Sequence, residues 1–213
     1  MSGELITAIA EMNEEEALAL TRQLIKDGAT PVAILEDCKV AMEEVGKRFE
    51  KGEYFIPELI LAGEMLKAIS DEVKPLMAQS TGTATGAKVL LGTVKGDIHD
   101  IGKDIVNFML GVNGFQVKDL GVDIPPEDFV AAMKEYKPDV VALSGFLTLA
   151  YTSMKETVEA ITAAGLRDGV KIMIGGGTMD QQICAYAGAD AFGKDAMSAV
   201  ALAKNWTGAN GND

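Results

Sequence analysis

The one histidine of the chain, His99, lies in the segment Thr93-Val-Lys-Gly-Asp-Ile-His-Asp-Ile-Gly-Lys103. Asp97 stands two residues before it, Asp100 directly after it, and Gly96 and Gly102 flank the group. An aspartate at that spacing can accept the proton of one ring nitrogen and leave the other free as a metal ligand, fixing the orientation of the imidazole. The plain alternative is a solvated histidine beside two acids. Zinc is not expected, because Cys38 and Cys184 lie far from other ligands in the sequence and there is no second histidine. Gly102 allows a following helix to begin close to whatever lies on the loop.

Two further segments have polar or glycine residues where apolar runs end. Leu143-Ser-Gly-Phe-Leu-Thr-Leu-Ala150 places Ser144 and Thr148 at the edge of a buried run. A hydroxyl there either satisfies a turn or has a polar task, since buried hydroxyls need partners. Ile174-Gly-Gly-Gly-Thr178 ends another run. Its glycines fit either a tight turn or a close approach of backbone to a bulky ligand.

The elements that must position these residues follow from periodicity. The first 78 or so residues read as four short-looped helices, Glu4 to Met12, Asn13 to Lys26, Pro31 to Lys51 and Ile56 to about Met77. Asn13 with Glu16 is a capping-box pattern, and Thr30-Pro31 pairs an N-cap with proline at the first helical position. Short connections imply an antiparallel helical bundle over 1–78, the part that the family resemblance given below implies is a cap domain. Residues 79–86, QSTGTATG, have linker composition. From 87 to 213 the pattern alternates. Apolar runs at 88–94, 115–120, 140–144, 171–174 and 189–192 predict five strands. Helical patterns at 102–110, 126–136, 152–164, 180–187 and 195–206 lie between and after them. The fold class expected is α/β, a four-helix bundle followed by a Rossmann or flavodoxin-like parallel five-stranded sheet. Ligands of such sheets bind where the strands end and the strand order switches, which is where the three segments fall.

Lys and Arg total 19 against 32 Asp and Glu, a net charge of -13. That field repels phosphate backbones and anionic lipid surfaces, so neither nucleic acid nor membrane is an expected partner. Two cysteines and an acidic start suit a cytoplasmic protein without an export signal.

Taken together, the three segments resemble the cobalamin (corrinoid) binding family, whose pattern is D-x-H-x-x-G, about 41 residues, S-x-L, some 26–28 residues, then G-G. Asp97, His99 and Gly102 match the first element. The 41 residues 103–143 precede Ser144-Gly-Phe146, with Phe in place of Leu, and the 28 residues 147–174 precede Gly175-Gly176. The resemblance spans the whole chain and is to the corrinoid proteins of methyltransferase systems and the matching module of cobalamin-dependent methionine synthase.

That resemblance implies cobalamin or a related corrinoid, bound base-off and His-on. His99 would be the lower axial ligand of cobalt, and Asp97 would hold and tune it. Gly96, Ile98, Asp100, Ile101 and Gly102 would complete the ligand loop. Ser144, Phe146, Leu147, Thr148, Gly175, Gly176 and Gly177 would surround the displaced nucleotide tail. Phe55, Leu61 and Met65 would cover the upper face. The family's proton relay uses a serine at the position of Ala150, so here it would be shortened or completed by water or another hydroxyl. The function implied is a methyl carrier whose cobalt cycles between Co(I) and methyl-Co(III). It would be inactive alone and served by a donor-specific methyltransferase, an acceptor methyltransferase acting on a folate or thiol, and a reductive activation protein. A cobalamin-dependent sensor or regulatory module is the alternative. The methyl donor, whether a methylamine, methanol, glycine betaine or an aryl methyl ether, is not legible in the sequence.

Overall fold

The computed structural model describes residues 2–77 and 86–208, so the expected linker at 79–86 falls outside the described residues apart from Gly86. The chain divides into two compact units, Met1–Gln79 and Ser80–Asp213.

The first unit is helical: α1 (Ser2–Ala10), α2 (Glu14–Lys26), α3 (Pro31–Glu50) and α4 (Ile56–Met77). Local signals set the ends. Thr30 Oγ1 accepts from the Ala33 amide at 3.3 Å, with Pro31 opening α3. Asn13 accepts from the Glu16 amide at 3.4 Å, while its Nδ2 donates to the Glu16 carboxylate at 2.6 Å, so the pair meets side chain to side chain. Apolar positions at helical spacing, among them Leu5, Ile9, Leu24, Ile34, Leu35, Val45, Ile69 and Val73, are buried. Arg48 closes the end of α1, donating to the Ala10 carbonyl at 3.1 Å and to Glu11 at 2.9 Å, while Tyr54 Oη donates to the same carbonyl at 2.6 Å.

In the second unit strands and helices alternate: β1 (Lys88–Thr93), α5 (Ile101–Val112), β2 (Gln116–Asp119), α6 (Pro126–Tyr136), β3 (Val140–Gly145), α7 (Ala150–Ala163), β4 (Lys171–Gly176), α8 (Gln181–Ala187), β5 (Ala191–Phe192) and α9 (Ala196–Thr207). All pairs are parallel and the order is β2-β1-β3-β4-β5. Both faces are covered, so the central strands are apolar along Val89–Leu91, Val140–Leu143 and Ile172–Ile174. Leu90, Val141, Leu143, Ile172 and Ile174 pack with Phe129, Met154 and Ile161 on one side. Val89, Leu91, Val140, Ala142 and Met173 pack with Leu110, Val200 and Ala203 on the other.

Successive connections leave β1 in opposite directions, which puts the topological switch between β1 and β3. The loops that follow these two strands carry His99 and Phe146. The boundaries differ from the expected ones by one or two residues at most ends. α7 starts at Ala150 rather than Thr152, and β5 is two residues long because it pairs only through Met173–Ala191 and Ile174–Phe192. Among the described residues no helix is long and apolar enough to cross a membrane.

Candidate functional site

β1 ends at Thr93, and the chain crosses the top of the sheet to α5 through Val94–Asp100. Gly96 adopts φ +81° there, and a Cβ on it would sit 3.1 Å from Leu149 Cδ1 of the neighbouring loop. Asp97 is wholly buried and His99 half-exposed, with side-chain exposures of 0% and 49%. His99 Nδ1 lies 2.6 Å from Asp97 Oδ1, and the His99 amide donates to the same oxygen at 3.0 Å. A carboxylate can only accept, so the proton of the neutral ring sits on Nδ1 and Nε2 keeps its lone pair. Asp97 Oδ2 takes two more donors, the Phe146 amide at 2.6 Å and the Leu147 amide at 2.9 Å. Burial by itself would raise the Asp97 carboxyl. The Leu147 and His99 amides, the His99 ring and the Phe146 amide outweigh it and hold the carboxyl below its ordinary value. Asp97 therefore stays charged and keeps its grip on the imidazole.

The two amides on Oδ2 belong to the β3–α7 loop, which fastens the loops of the switch point to one another. The Phe146 ring stands 4.7 Å from the His99 ring, centroid to centroid, at an interplanar angle of 33°. The Phe found where the family has Leu thus gives the imidazole an aromatic neighbour. Ile98, Phe146, Leu147 and Leu149 are exposed around it. Four large apolar side chains on two adjoining strand-end loops make an unusual surface patch that fits a broad apolar ligand.

Deeper in, Thr93, Ser144 and Gly175 are register partners across β1, β3 and β4. They extend the row of Leu91, Ala142 and Met173. Thr93 Oγ1 donates to the His99 carbonyl at 3.1 Å. Ser144 is buried, and its hydroxyl makes no hydrogen bond among the described residues. At Gly175 a Cβ would meet nothing nearer than the Gly193 carbonyl at 3.6 Å, so no protein atom demands glycine there. At Gly102 a Cβ would meet no protein atom within 4 Å.

The other two glycines of the triplet also meet a neighbouring loop. At Gly176, φ is +121° and a Cβ would lie 2.3 Å from the Gly145 carbonyl oxygen. At Gly177 it would lie 2.6 Å from the Phe146 carbonyl oxygen. The close approach they permit is that of the β3–α7 loop, so they support the Asp97 donors from behind. Ala150 is fully buried at the start of α7.

The remaining expected residues are placed as follows. Asp100 caps α5, Ile101 is half-buried in its first turn, and Thr148 is exposed in the β3–α7 loop. In the helical unit Phe55 is exposed, Leu61 half-buried and Met65 buried. Among the described residues no group of three or more His, Cys, Asp or Glu is placed to hold a metal ion. A groove of about 930 Å³ lies at the opposite end of the sheet, lined by Ala87, Asp139, Arg167, Lys171 and Trp206 among others, and holds none of these groups.

Residues that sequence reasoning passed over also meet here. Asp123 accepts from the Gly96 amide at 2.7 Å, and the Asp123 amide donates to the Asp97 carbonyl at 3.0 Å. Lys103, nearly buried, pairs with Asp104 at 3.0 Å and with Asp119. Their only signal in the sequence is position, just beyond a strand end and just inside a helix.

Comparisons with known proteins agree with this geometry. Residues 87–201 match a B12 binding domain, and residues 2–74 match a second B12 binding domain model. Trimethylamine corrinoid protein 2 of Methanosarcina mazei is 40% identical over 199 residues, covering 92% of this chain and 91% of that one. The structure of the Methanosarcina barkeri monomethylamine corrinoid protein superposes with a TM-score of 0.82 at 30% identity, covering 94% of this chain and 95% of that one. A chain of the methanol:cobalamin methyltransferase complex from the same organism has a TM-score of 0.55 at 26% identity, covering 99% of this chain and 80% of that one. A lone imidazole, poised by a buried carboxylate at the switch point of a cobalamin-type sheet, is thus found in a chain that belongs to the corrinoid proteins of methyltransferase systems.

Proposed function

We propose that this protein is a methyl carrier that holds cobalamin or a related corrinoid base-off, with His99 Nε2 as the lower axial ligand of cobalt. One observation carries the reading: the His99 ring is tied through Nδ1 to a buried, charged Asp97, while its other edge lies half-exposed among apolar side chains. That is the pose of a single-point ligand for a metal whose other equatorial donors come with its macrocycle. When bound, the corrin supplies a cobalt centre nucleophilic enough to take up a methyl group and release it to an acceptor.

The chain's own residues do the rest. Asp97 fixes the tautomer and the tilt of the imidazole and adds electron density to it. Ile98, Phe146, Leu147 and Leu149 offer an apolar bed that excludes water from the lower face. The Ser144 hydroxyl and the bare backbone of its register partner Gly175 would receive the displaced nucleotide tail, with exposed Thr148 nearby in sequence. In this reading a donor-specific methyltransferase delivers the methyl and a second methyltransferase passes it to a folate or thiol. A reductive activation protein rescues the cobalt when it oxidises. The names of the amine-linked relatives support a methylated amine as donor.

Reconstitution with hydroxocobalamin tests this. A tight 1:1 complex with a base-off spectrum is expected, and its reduced Co(II) form should show the superhyperfine splitting of one imidazole nitrogen. His99→Ala should keep the fold, because the ring is half-exposed, weaken binding roughly ten- to hundredfold and abolish the splitting. A base-on spectrum with the wild-type protein would overturn the assignment.

A further inference from the structure

We propose that the segment joining β2 to α6, residues 119–124, is the brace that sets the position of the cobalt ligand, with Asp123 as its positioning residue. The inference rests on the reading of His99 as axial ligand and adds an element that touches neither the ring nor the space beside it.

The ligand loop has only seven residues between β1 and α5, one of them Gly96 in the left-handed region. A glycine-containing loop of this kind does not hold an imidazole in place without restraint from outside. Besides the Phe146 and Leu147 amides on Asp97, restraint comes from the segment after β2, directly on either side of the histidine and through Thr93 at the histidine itself. Before the histidine, Asp123 Oδ1 accepts from the Gly96 amide at 2.7 Å and the Asp123 amide donates to the Asp97 carbonyl at 3.0 Å. Two opposed hydrogen bonds from one residue therefore straddle the Gly96–Asp97 peptide. At the histidine, the His99 carbonyl accepts from Thr93 Oγ1, and the Thr93 amide donates to the Gly121 carbonyl at 2.9 Å. After the histidine, Lys103 in the first turn of α5 pairs with Asp119, whose other oxygen accepts from the Gly121 amide at 2.9 Å.

The backbone of Asp123 supports a dedicated role. Its φ is +55°, a conformation that costs an ordinary side chain free energy and that aspartate, asparagine and glycine tolerate best. Such a residue beside a site is kept where its side chain has a task there. Here the task is visible, because the left-handed turn aims the carboxylate at the Gly96 amide.

The same property makes the role separable from folding. Asp123→Gly relieves the backbone and removes the acceptor. Asp123→Asn keeps both the acceptor oxygen and the tolerance of positive φ. Both are to be prepared with 15N-labelled histidine, loaded with cobalamin, reduced to Co(II) and examined by EPR, where the 15N superhyperfine splitting, distinct from the 14N splitting of the cofactor's own base, reports ligation by His99. The ratio of His-on to His-off should fall about fivefold in the glycine variant, the value of one hydrogen bond, and stay near the wild-type ratio in the asparagine variant. Melting of the unloaded proteins gives a control, and both variants should melt close to the wild type.

A glycine variant as fully His-on as the wild type would overturn the proposal. So would an asparagine variant that loses ligation as far as the glycine one. Wild-type protein lacking the 15N splitting would instead sink the axial-ligand reading itself, so the two failures are told apart.

Discussion

Asp97 has all its lone pairs spoken for on both sides. One oxygen serves the His99 ring and amide, and the other takes the amides of Phe146 and Leu147. The second pair bears on the missing relay serine. Amide N–H groups donate and cannot take up a proton, so the path beyond Asp97 ends in the backbone rather than in a hydroxyl. Asp97→Asn sharpens this. If the Asn oxygen faces the two amides, its NH2 faces Nδ1 and forces the ring proton onto Nε2, the wrong tautomer for a ligand. The opposite orientation sets NH2 against two donors. Either way the variant should bind corrinoid yet lose roughly tenfold or more in ligation, and the Co(II)/Co(I) midpoint should move positive as the imidazole donates less charge. Spectroelectrochemical titration reads the midpoint, and an unmoved value would count against the tuning role.

At the scale of elements, the ends of β3 and β4 meet backbone to backbone, and Gly176 is the contact. A Cβ there would press on the Gly145 carbonyl from a φ of +121°, so Gly176→Ala should cost about 3 kcal/mol and lower the urea midpoint. The β4–β5 junction makes a different prediction. Burial would raise the Asp190 carboxyl, but the Arg167 guanidinium at 2.9 Å and the Ile172 amide at 2.7 Å hold it below its ordinary value. A depressed carboxyl contributes stability above its unfolded value near 3.9 and loses it as pH falls through the folded value. Asp190→Asn should therefore be less stable by about 1 kcal/mol at pH 6 and show a shallower loss between pH 4 and 2, by urea titration at each pH. These contacts mark where the sequence stops being legible. Apolar runs and caps announced the helices and strands because burial on both faces leaves no room for polar residues. The His99 loop was legible because histidine between aspartates is rare. Gly176 and Gly177 read as a tight turn or as room for a ligand, and their meeting with the β3–α7 loop could not be read, because it exists only once β4 lies beside β3. Asp123 went unread, because its φ and its reach to Gly96 exist only once β2 lies beside β1.

At the scale of the whole molecule, the proposed carrier role makes methyl transfer depend on partner methyltransferases. The loaded Co(I) protein mixed with a panel of methylated amines, methanol and glycine betaine should be methylated only when a donor-specific methyltransferase is added, with an amine as the productive substrate. Methylation by an amine without a partner would overturn the carrier role. The meeting of Gly177 with the Phe146 peptide has a further, historical consequence. A descendant could admit a side chain at 177 only by shifting that peptide, and the shift would unfasten the donors that keep Asp97 charged. The tip of the fourth strand is thus not free to drift on its own. Related chains that have lost glycine there should carry a compensating change across the first and third strand ends, written as paired substitutions.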